Sequence, residues 1–162
     1  MTRDRAGEFG AREFADLYGP LRRFASVVRS PDMDADDLVQ EALVRTLALQ
    51  PLEELDDPAA YLRTVIVRLA SNERRGAGRR RRALLRLRRA EESPPVAYPS
   101  DLSDLARLES ADRAAVYLAV VEHRTHREIA GIVGGTEEAS RQRVSRALAR
   151  LRVEINAEAD GG

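Results

Sequence analysis

Residues 125–152 read THREIAGIVGGTEEASRQRVSRALARLR and give the clearest indication of the fold. Thr125 is followed three residues later by Glu128, and this spacing is a capping box that marks the start of a helix. Gly134 and Gly135 then predict a tight turn, because glycine adopts backbone conformations that other residues avoid. A short capped helix, a glycine turn and a longer helix together predict a helix-turn-helix.

The longer helix of this stretch, the recognition helix, is predicted to carry polar side chains on the side away from its core. Its core stripe consists of Val144, Ala147, Leu148, Leu151 and Ile155. Arginine can donate two hydrogen bonds to guanine, and glutamine pairs in the same way with adenine. The candidate DNA contacts are Arg141, Gln142, Arg143 and Arg146, with Arg150 as a phosphate contact. On spacing alone, an antiparallel helical hairpin with solvated arginines fits equally well.

The composition excludes several classes of protein. The chain has 162 residues and no cysteine, which excludes disulfides, thiolate metal sites and a cysteine nucleophile. The histidines, His123 and His126, are too few for a multi-histidine metal centre, so we predict no metal and no cofactor. No glycine loop of the P-loop type and no acid–base constellation is present, and we therefore expect no enzyme.

The hydropathy of the chain predicts a cytoplasmic protein that does not enter a membrane. No apolar run approaches the ~20 residues of a membrane span. The first residues, MTRDRAGEFGAREF, lack the apolar stretch of a signal peptide.

The charges are strongly segregated although the formal net charge is zero, with 27 basic and 27 acidic residues. Residues 58–90 hold eleven arginines and a single acidic residue, Glu73. Such a block is an electrostatic footprint for a polyanion, and we expect it to contact phosphates. The predicted phosphate contacts of this block are Arg79, Arg80, Arg81 and Arg82. The alternative is an adaptor whose arginine run binds RNA or an acidic partner.

Two helices are predicted before this block, and a third begins with it. The first covers residues 8–29, and Pro20 is expected to kink or split it, since proline removes a backbone donor. The second covers residues 34–49, with Asp34 as a favourable N-cap, and has an apolar stripe for a core on one face. Its opposite face is polar and acidic and carries Asp36, Asp37, Gln40 and Glu41. The third begins at Pro58, a favourable first residue of a helix.

The order of these elements predicts an all-α fold of two small helical domains joined by a flexible linker, the C-terminal domain being the helix-turn-helix. The third helix is expected to fray or break at Gly76 and Gly78. The region after it is rich in proline and serine, which is typical of an exposed, semi-rigid spacer. We expect this tether to hold the two domains apart. The predicted boundaries are 10–88 for the first domain, 89–104 for the linker and 105–156 for the second domain.

Two blocks of the sequence resemble bacterial sigma factors of the extracytoplasmic-function group. Residues 34–47, DADDLVQEALVRTL, and residues 58–75, PAAYLRTVIVRLASNERR, resemble region 2 of that family. Residues 125–152 resemble its region 4, and the order and spacing of the blocks also match.

The resemblance implies a sigma factor that binds core RNA polymerase and directs promoter-specific initiation. The residues that match the family's polymerase-binding motif are Asp36, Asp37, Gln40 and Glu41. Those implied to contact the minus-ten element are Tyr61, Arg63, Arg68, Asn72, Arg74 and Arg75, and those implied to read the minus-thirty-five element are Arg141, Gln142, Arg143 and Arg146. The loop before the third helix, residues 50–57, is the part that varies with base choice in the family.

The resemblance also implies partners and a location. We expect core RNA polymerase, promoter DNA and an inhibitory anti-sigma protein as partners, and a monomer when the chain is free. The protein would be associated with the nucleoid when bound to polymerase. The alternative function is a stand-alone helix-turn-helix regulator that binds DNA without polymerase, which usually requires a symmetric dimer.

Overall fold

The computed structural model describes residues 5–85 and 104–160, and all of their regular structure is helical, which confirms the all-α prediction. The helices are α1 (Arg5–Val28), α2 (Ala35–Leu47), α3 (Pro58–Leu85), α4 (Ser110–Val120), α5 (His126–Val133) and α6 (Glu137–Asp160), with short 3-10 turns at Leu52–Glu54 and Asp104–Arg107. Side chains are described except at positions 5–11, 73–75, 77–85, 104, 106 and 158–160.

The helix starts are fixed by the capping residues that the sequence indicated. The carboxylate of Asp34 accepts hydrogen bonds from the backbone N–H groups of Asp36 (2.8 Å) and Asp37 (3.1 Å) at the start of α2. At the start of α5, the Thr125 hydroxyl accepts from the Glu128 N–H at 3.2 Å, and the Glu128 carboxylate accepts from the Thr125 N–H at 2.8 Å. These backbone and hydroxyl donors of Thr125 lower the pKa of Glu128. Both caps satisfy N–H groups that a helix start leaves unpaired.

The predicted splits of two helices are wrong, whereas a kink at Pro20 stays a prediction. α1 is one helix through Pro20, and α3 continues through Gly76 and Gly78. Beyond Pro20, α1 buries Leu21 and Phe24 completely in the core. Burial of this apolar face outweighs the one hydrogen bond that proline removes, so tertiary packing overrides the local preference.

The two groups of helices share one hydrophobic core, which corrects the prediction that a tether holds them apart. The cluster includes Leu21, Phe24, Leu62 and Ile66 from α1 and α3, together with Ala114, Ala115, Leu118, Ile129 and Ile132 from α4 and α5. α4 packs against α1 and α3, and α5 packs against α3. The predicted linker, residues 89–104, lies outside the described residues except for Asp104. The described helices therefore form a closed arrangement.

Arg113 of α4 ties the two halves together at the end of α1. Its side chain is buried, and one terminal nitrogen donates to the carbonyl oxygens of Val28 (2.8 Å) and Arg29 (2.9 Å). The other terminal nitrogen donates to the carbonyl oxygen of Leu108 at 2.6 Å. The last carbonyls of a helix have no partner within the helix, so a buried cation is a favourable ligand for them.

Candidate functional site

The outer face of α2 is exposed, and its inner face is buried as the sequence predicted. The buried residues are Ala35, Leu38, Val39, Ala42, Leu43 and Thr46. Asp37, Gln40 and Glu41 are exposed on the other side. Glu41 forms an ion pair with Arg45 one turn further along the helix, whereas the side chains of Asp37 and Gln40 face solvent. The face therefore presents hydrated carboxylate and amide groups to a partner, and only Glu41 among them has an ion pair within the helix.

Asp36 differs from its neighbours on this face because it is held by α1. Its Oδ1 accepts a hydrogen bond from the hydroxyl of Tyr18 at 2.6 Å and another from Nε of Arg22 at 2.8 Å. The Tyr18 hydrogen bond and then the Arg22 guanidinium lower the pKa of Asp36, and the same hydrogen bond raises the pKa of Tyr18. Asp36 therefore joins α2 to α1.

Two apolar residues that the sequence reasoning missed extend the exposed face of α2. Val44 is 62 % exposed and Leu47 is 56 % exposed. Val44 follows Asp37 by seven residues, which is about two helical turns, so the two lie on the same side. The seven-residue spacing from Asp37 would have predicted that Val44 lies on the exposed face. We call the exposed set of Asp37, Gln40, Glu41, Val44 and Leu47 the docking stripe.

The outer face of α3 brings together three of the predicted DNA contacts. Tyr61, Arg68 and Asn72 are separated by seven and four residues, so they share one side of the helix. Arg68 and Asn72 are exposed, and Tyr61 is half-buried. Arg74, Arg75 and the run of residues 79–82 belong to the same helix, but their side chains lie outside the described residues. The described part of this face offers an aromatic ring, a cation and an amide in a row.

Arg63 does not belong to this face, which corrects the prediction that groups it with the exposed contacts. It follows Tyr61 by two residues, about 200° around the helix, and is only 4 % exposed. One of its terminal nitrogens forms an ion pair with Oε1 of Glu122 at 2.8 Å, and its guanidinium lies 5.7 Å from the centre of the Phe24 ring. Arg63 is thus an internal contact between the two halves.

A cleft of about 460 Å³ lies beside the N-terminal end of this face. The loop before α3 contributes Asp56 and Asp57, and α3 contributes Tyr61. Arg124 and Glu128 form the opposite wall, and their side chains form an ion pair at 3.2 Å. Tyr61 therefore faces the second half of the molecule across this cleft.

The turn before the recognition helix α6 depends on glycine, as predicted. Gly134 has φ +92° and Gly135 has φ +100°, a region that L-residues with side chains rarely adopt. On α6, Val144, Ala147 and Leu151 are buried, whereas Ile155 is 50 % exposed, so the predicted core stripe ends one turn early. The helix itself continues to Asp160.

At the start of α6, the side chains predicted to contact DNA are held by ion pairs and hydrogen bonds within the same helix. Arg141 forms ion pairs with Glu138 and, at 3.4 Å, with Glu137, and Gln142 donates to Glu138 at 3.3 Å. Arg141 and Gln142 remain exposed. The two carboxylates neutralise part of the positive charge that this end of the helix presents.

Further along α6, Arg143 is positioned by a different helix. Its guanidinium donates to Oδ1 of Asp112 on α4 at 2.8 Å, and both side chains are partly exposed. Nε of Arg146 is 3.4 Å from the carbonyl oxygen of Gln142, and Arg146 and Arg150 are exposed. The structure thus brings Arg141, Gln142 and Arg146 to one surface. Arg143 follows Arg141 by two residues, about 200° around the helix, and is held on the side of α4 by Asp112.

Within residues 5–85 and 104–160, no group of three His, Asp or Glu side chains is placed to hold a metal ion. No helix of the described part is long and apolar enough to cross a bilayer.

Comparison with known proteins identifies both halves. The family model of sigma-70 region 2 matches residues 14–80, and that of sigma-70 region 4 matches residues 105–151. A solved structure, the sigma factor RpoE of Bartonella quintana in complex with the anti-sigma factor NepR, is similar at 24 % identity with a TM-score of 0.70. The similarity covers 90 % of this chain and 95 % of that one, and at this identity it shows the fold. No curated protein sequence matches the chain.

Proposed function

The chain belongs to the sigma-70 family, in its extracytoplasmic-function group, and we propose which of its surfaces bind polymerase and which bind the promoter. A sigma factor binds core RNA polymerase and directs initiation at specific promoters. The observation that carries the assignment is the presence of regions 2 and 4 in order on one chain.

Core RNA polymerase is proposed to bind the docking stripe of α2. The support is an exposed row of carboxylate, amide and apolar groups opposite a fully buried face. Charged groups orient a partner and apolar side chains add buried area, and an interface needs both. Asp36 contributes indirectly, because its bonds to Tyr18 and Arg22 set the position of α2 on α1.

The minus-ten element is proposed to bind the outer face of α3. Tyr61 is the residue on which an unstacked base would stack, and Arg68 and Asn72 follow the strand along the helix. Arg74 and Arg75 extend this face, and the arginines at 79–82 are proposed as phosphate contacts. Arg63 is left out of this proposal because its guanidinium is bound to Glu122.

The minus-thirty-five element is proposed to bind the start of α6 through Arg141, Gln142, Arg143 and Arg146, with Arg150 on a phosphate. A helix-turn-helix places the N-terminal side chains of its second helix against base edges in the major groove. Arg143, held by Asp112, has the most defined orientation of the four.

Replacing Arg143 with alanine is expected to weaken binding to the upstream element by ~1–3 kcal/mol and to relax base preference at one position. The reason is that an oriented guanidinium distinguishes guanine from other bases by two hydrogen bonds. The measurement is the affinity of the holoenzyme for a set of promoters with single changes in this element. Arg150→Ala is the matched control, with an expected equal loss on all sequences. A uniform loss for Arg143→Ala would make it a phosphate contact instead.

Replacing Glu138 with glutamine is expected to strengthen promoter binding by about 0.5–1 kcal/mol, since it removes a negative charge near phosphates and releases Arg141. The logarithm of the affinity should also fall more steeply with the logarithm of the salt concentration. The measurement is a salt titration of holoenzyme–promoter binding. Ala139→Gln, on the adjacent exposed position, is the control that leaves the charge unchanged. Weaker promoter binding by the Glu138→Gln variant would show that Glu138 holds Arg141 in an orientation that favours binding.

We propose that the chain itself performs no catalysis and that nucleotide chemistry belongs to the polymerase. The similar solved structure is of a sigma factor bound to an anti-sigma factor, which supports the proposal that an inhibitory protein also regulates this chain. Cytoplasmic location, with nucleoid association in the polymerase-bound state, is part of the same proposal.

The experiment that tests the function is transcription by purified core RNA polymerase on genomic DNA, with and without the chain. New start sites that share two upstream elements are the expected result. Failure to bind core polymerase, combined with tight and specific binding of the free chain to duplex DNA, would favour the stand-alone regulator.

A further inference from the structure

A groove of about 520 Å³ lies between α1 and the loop before α3, outside the docking stripe and outside the row of Tyr61, Arg68 and Asn72. Its apolar lining consists of Leu17 of α1, Leu52 and Leu55 of the loop, and Pro58 at the start of α3. All four of these side chains are partly exposed. A concave apolar surface that is open to solvent is typical of a site for another protein segment.

The charged residues that line this groove are all acidic. They are Glu13, Asp16, Glu53, Asp56 and Asp57. Asp57 caps α3 by accepting a hydrogen bond from the N–H of Ala60 at 2.9 Å. The other four carboxylates have no hydrogen bond or ion pair with any residue in the described part of the chain. Desolvation in the groove, followed by the carboxylates of Glu53 and Asp16, raises the pKa of Glu13. A cation bound among these groups would relieve their repulsion.

This combination of charge and shape selects a cationic, partly apolar peptide. Carboxylates repel nucleic acid, because its phosphates carry the same charge. Within residues 5–85 and 104–160, no three carboxylates are placed to hold a metal ion. A segment that contains both arginines and leucines gives counter-charges to the acidic residues and an apolar partner to the lining.

The chain itself contains a segment of this chemistry. Residues 79–89 read RRRRALLRLRR and hold seven arginines, three leucines and no acidic residue. This basic segment begins in the last part of α3. We propose that the acidic groove binds the basic segment of a second copy of this chain.

The length of α3 keeps the basic segment away from the groove of its own molecule. Pro58 lines the groove, and Arg79 follows it by 21 residues on the same helix. At 1.5 Å per residue, Arg79 lies roughly 32 Å from the groove. The four residues of the segment beyond Leu85 are too few to return, since an extended residue spans at most about 3.6 Å.

Two copies can satisfy both contacts at once. An antiparallel arrangement of two α3 helices brings each basic segment to the groove of the other copy. Such a pair is related by a two-fold axis and uses both grooves, so association stops at the dimer. This dimer replaces the free monomer that the family resemblance implies.

The test measures the mass of the free chain against its concentration by analytical ultracentrifugation. We expect a dimer with a micromolar dissociation constant in about 50 mM salt and a markedly weaker one in about 500 mM salt, because salt screens exposed charges. Asp16→Asn combined with Glu53→Gln should raise the dissociation constant about tenfold or more. The matched control is Asp32→Asn combined with Asp37→Asn, which removes two exposed carboxylates outside the groove and should leave the dimer unchanged.

An exchange of charges identifies the two surfaces in contact. Asp16→Arg combined with Glu53→Arg should abolish the dimer, because the groove and the segment then carry the same charge. Arg80→Glu combined with Arg81→Glu should abolish it for the same reason. An equimolar mixture of these two variants should form a dimer again, since both of its contacts then join opposite charges.

The outcomes decide between a second copy and another occupant. A restored dimer in the mixture supports the proposal and shows that both variants are folded. A chain that stays monomeric into the millimolar range, a dimer that the groove variants leave intact, or a mixture that stays monomeric overturns it. Binding of a free peptide of residues 79–89 to a chain that does not self-associate also overturns it, and assigns the groove to a basic segment of another protein. The assay contains no polymerase and no DNA, so its failure does not bear on the proposed function.

Discussion

Replacing Asp37 and Glu41 together with lysine is expected to weaken binding to core RNA polymerase about 30-fold or more, which corresponds to ~2 kcal/mol. Both carboxylates are exposed on the docking stripe, so reversal turns attraction for a basic partner surface into repulsion. The fold should survive. The cap at Asp34 uses backbone N–H groups, and the exposed pair between Glu41 and Arg45 contributes little.

The measurement is the dissociation constant of the chain for core polymerase, with thermal unfolding as a check on the fold. Asp32→Lys combined with Glu54→Lys is the matched control, since both residues are exposed, lie outside the docking stripe and change the net charge equally. An equal loss in the control would assign the effect to net charge. An unchanged affinity in the stripe variant would place polymerase binding elsewhere.

Replacing Arg113 with alanine is expected to destabilise the folded chain by about 3 kcal/mol. The substitution leaves the carbonyl oxygens of Val28, Arg29 and Leu108 without this buried donor, and it removes a side chain that joins the two halves. The measurement is denaturant unfolding, followed as the shift in midpoint. Arg113→Lys should recover only part of the loss, because one ammonium cannot reproduce the fork of a guanidinium.

The matched control for this prediction is Arg107→Ala. Arg107 is half-exposed, and its ion pair with Glu154 is 3.8 Å long, so its removal should cost less than about 1 kcal/mol. Equal midpoints for Arg113→Ala and Arg107→Ala would show that the contact with the end of α1 is not a stabilising one.

Features that depend on neighbours along the chain were predicted from the sequence. The caps at Asp34 and Thr125, the glycine turn and the buried stripe of α2 all follow from spacings of two to eleven residues, and the structure confirms them. The predicted break at Pro20 failed because the packing of Leu21 and Phe24 in the core compensates for a weak local preference. The helix α3 also runs through Gly76 without a break.

Two candidate site residues, Arg63 and Asp36, have contacts that the sequence did not predict. In both cases the partner is distant in the sequence. Arg63 looked like another exposed arginine of a basic helix, but Glu122 lies 59 residues away and reaches it only in the closed fold. Asp36 looked like part of an exposed acidic row, but Tyr18 and Arg22 of α1 bind it. No local pattern encodes either contact.

The helices, the capping residues, the buried face of α2 and the family could all be predicted from the sequence, because periodicity and capping act within a few turns of one helix. The shared core of the two halves, and the roles of Arg63 and Arg113 in it, follow from the packing of the helices alone. The burial of a charged side chain depends on which helices pack over it, and that packing depends on the shape and apolar area of surfaces far apart in the chain.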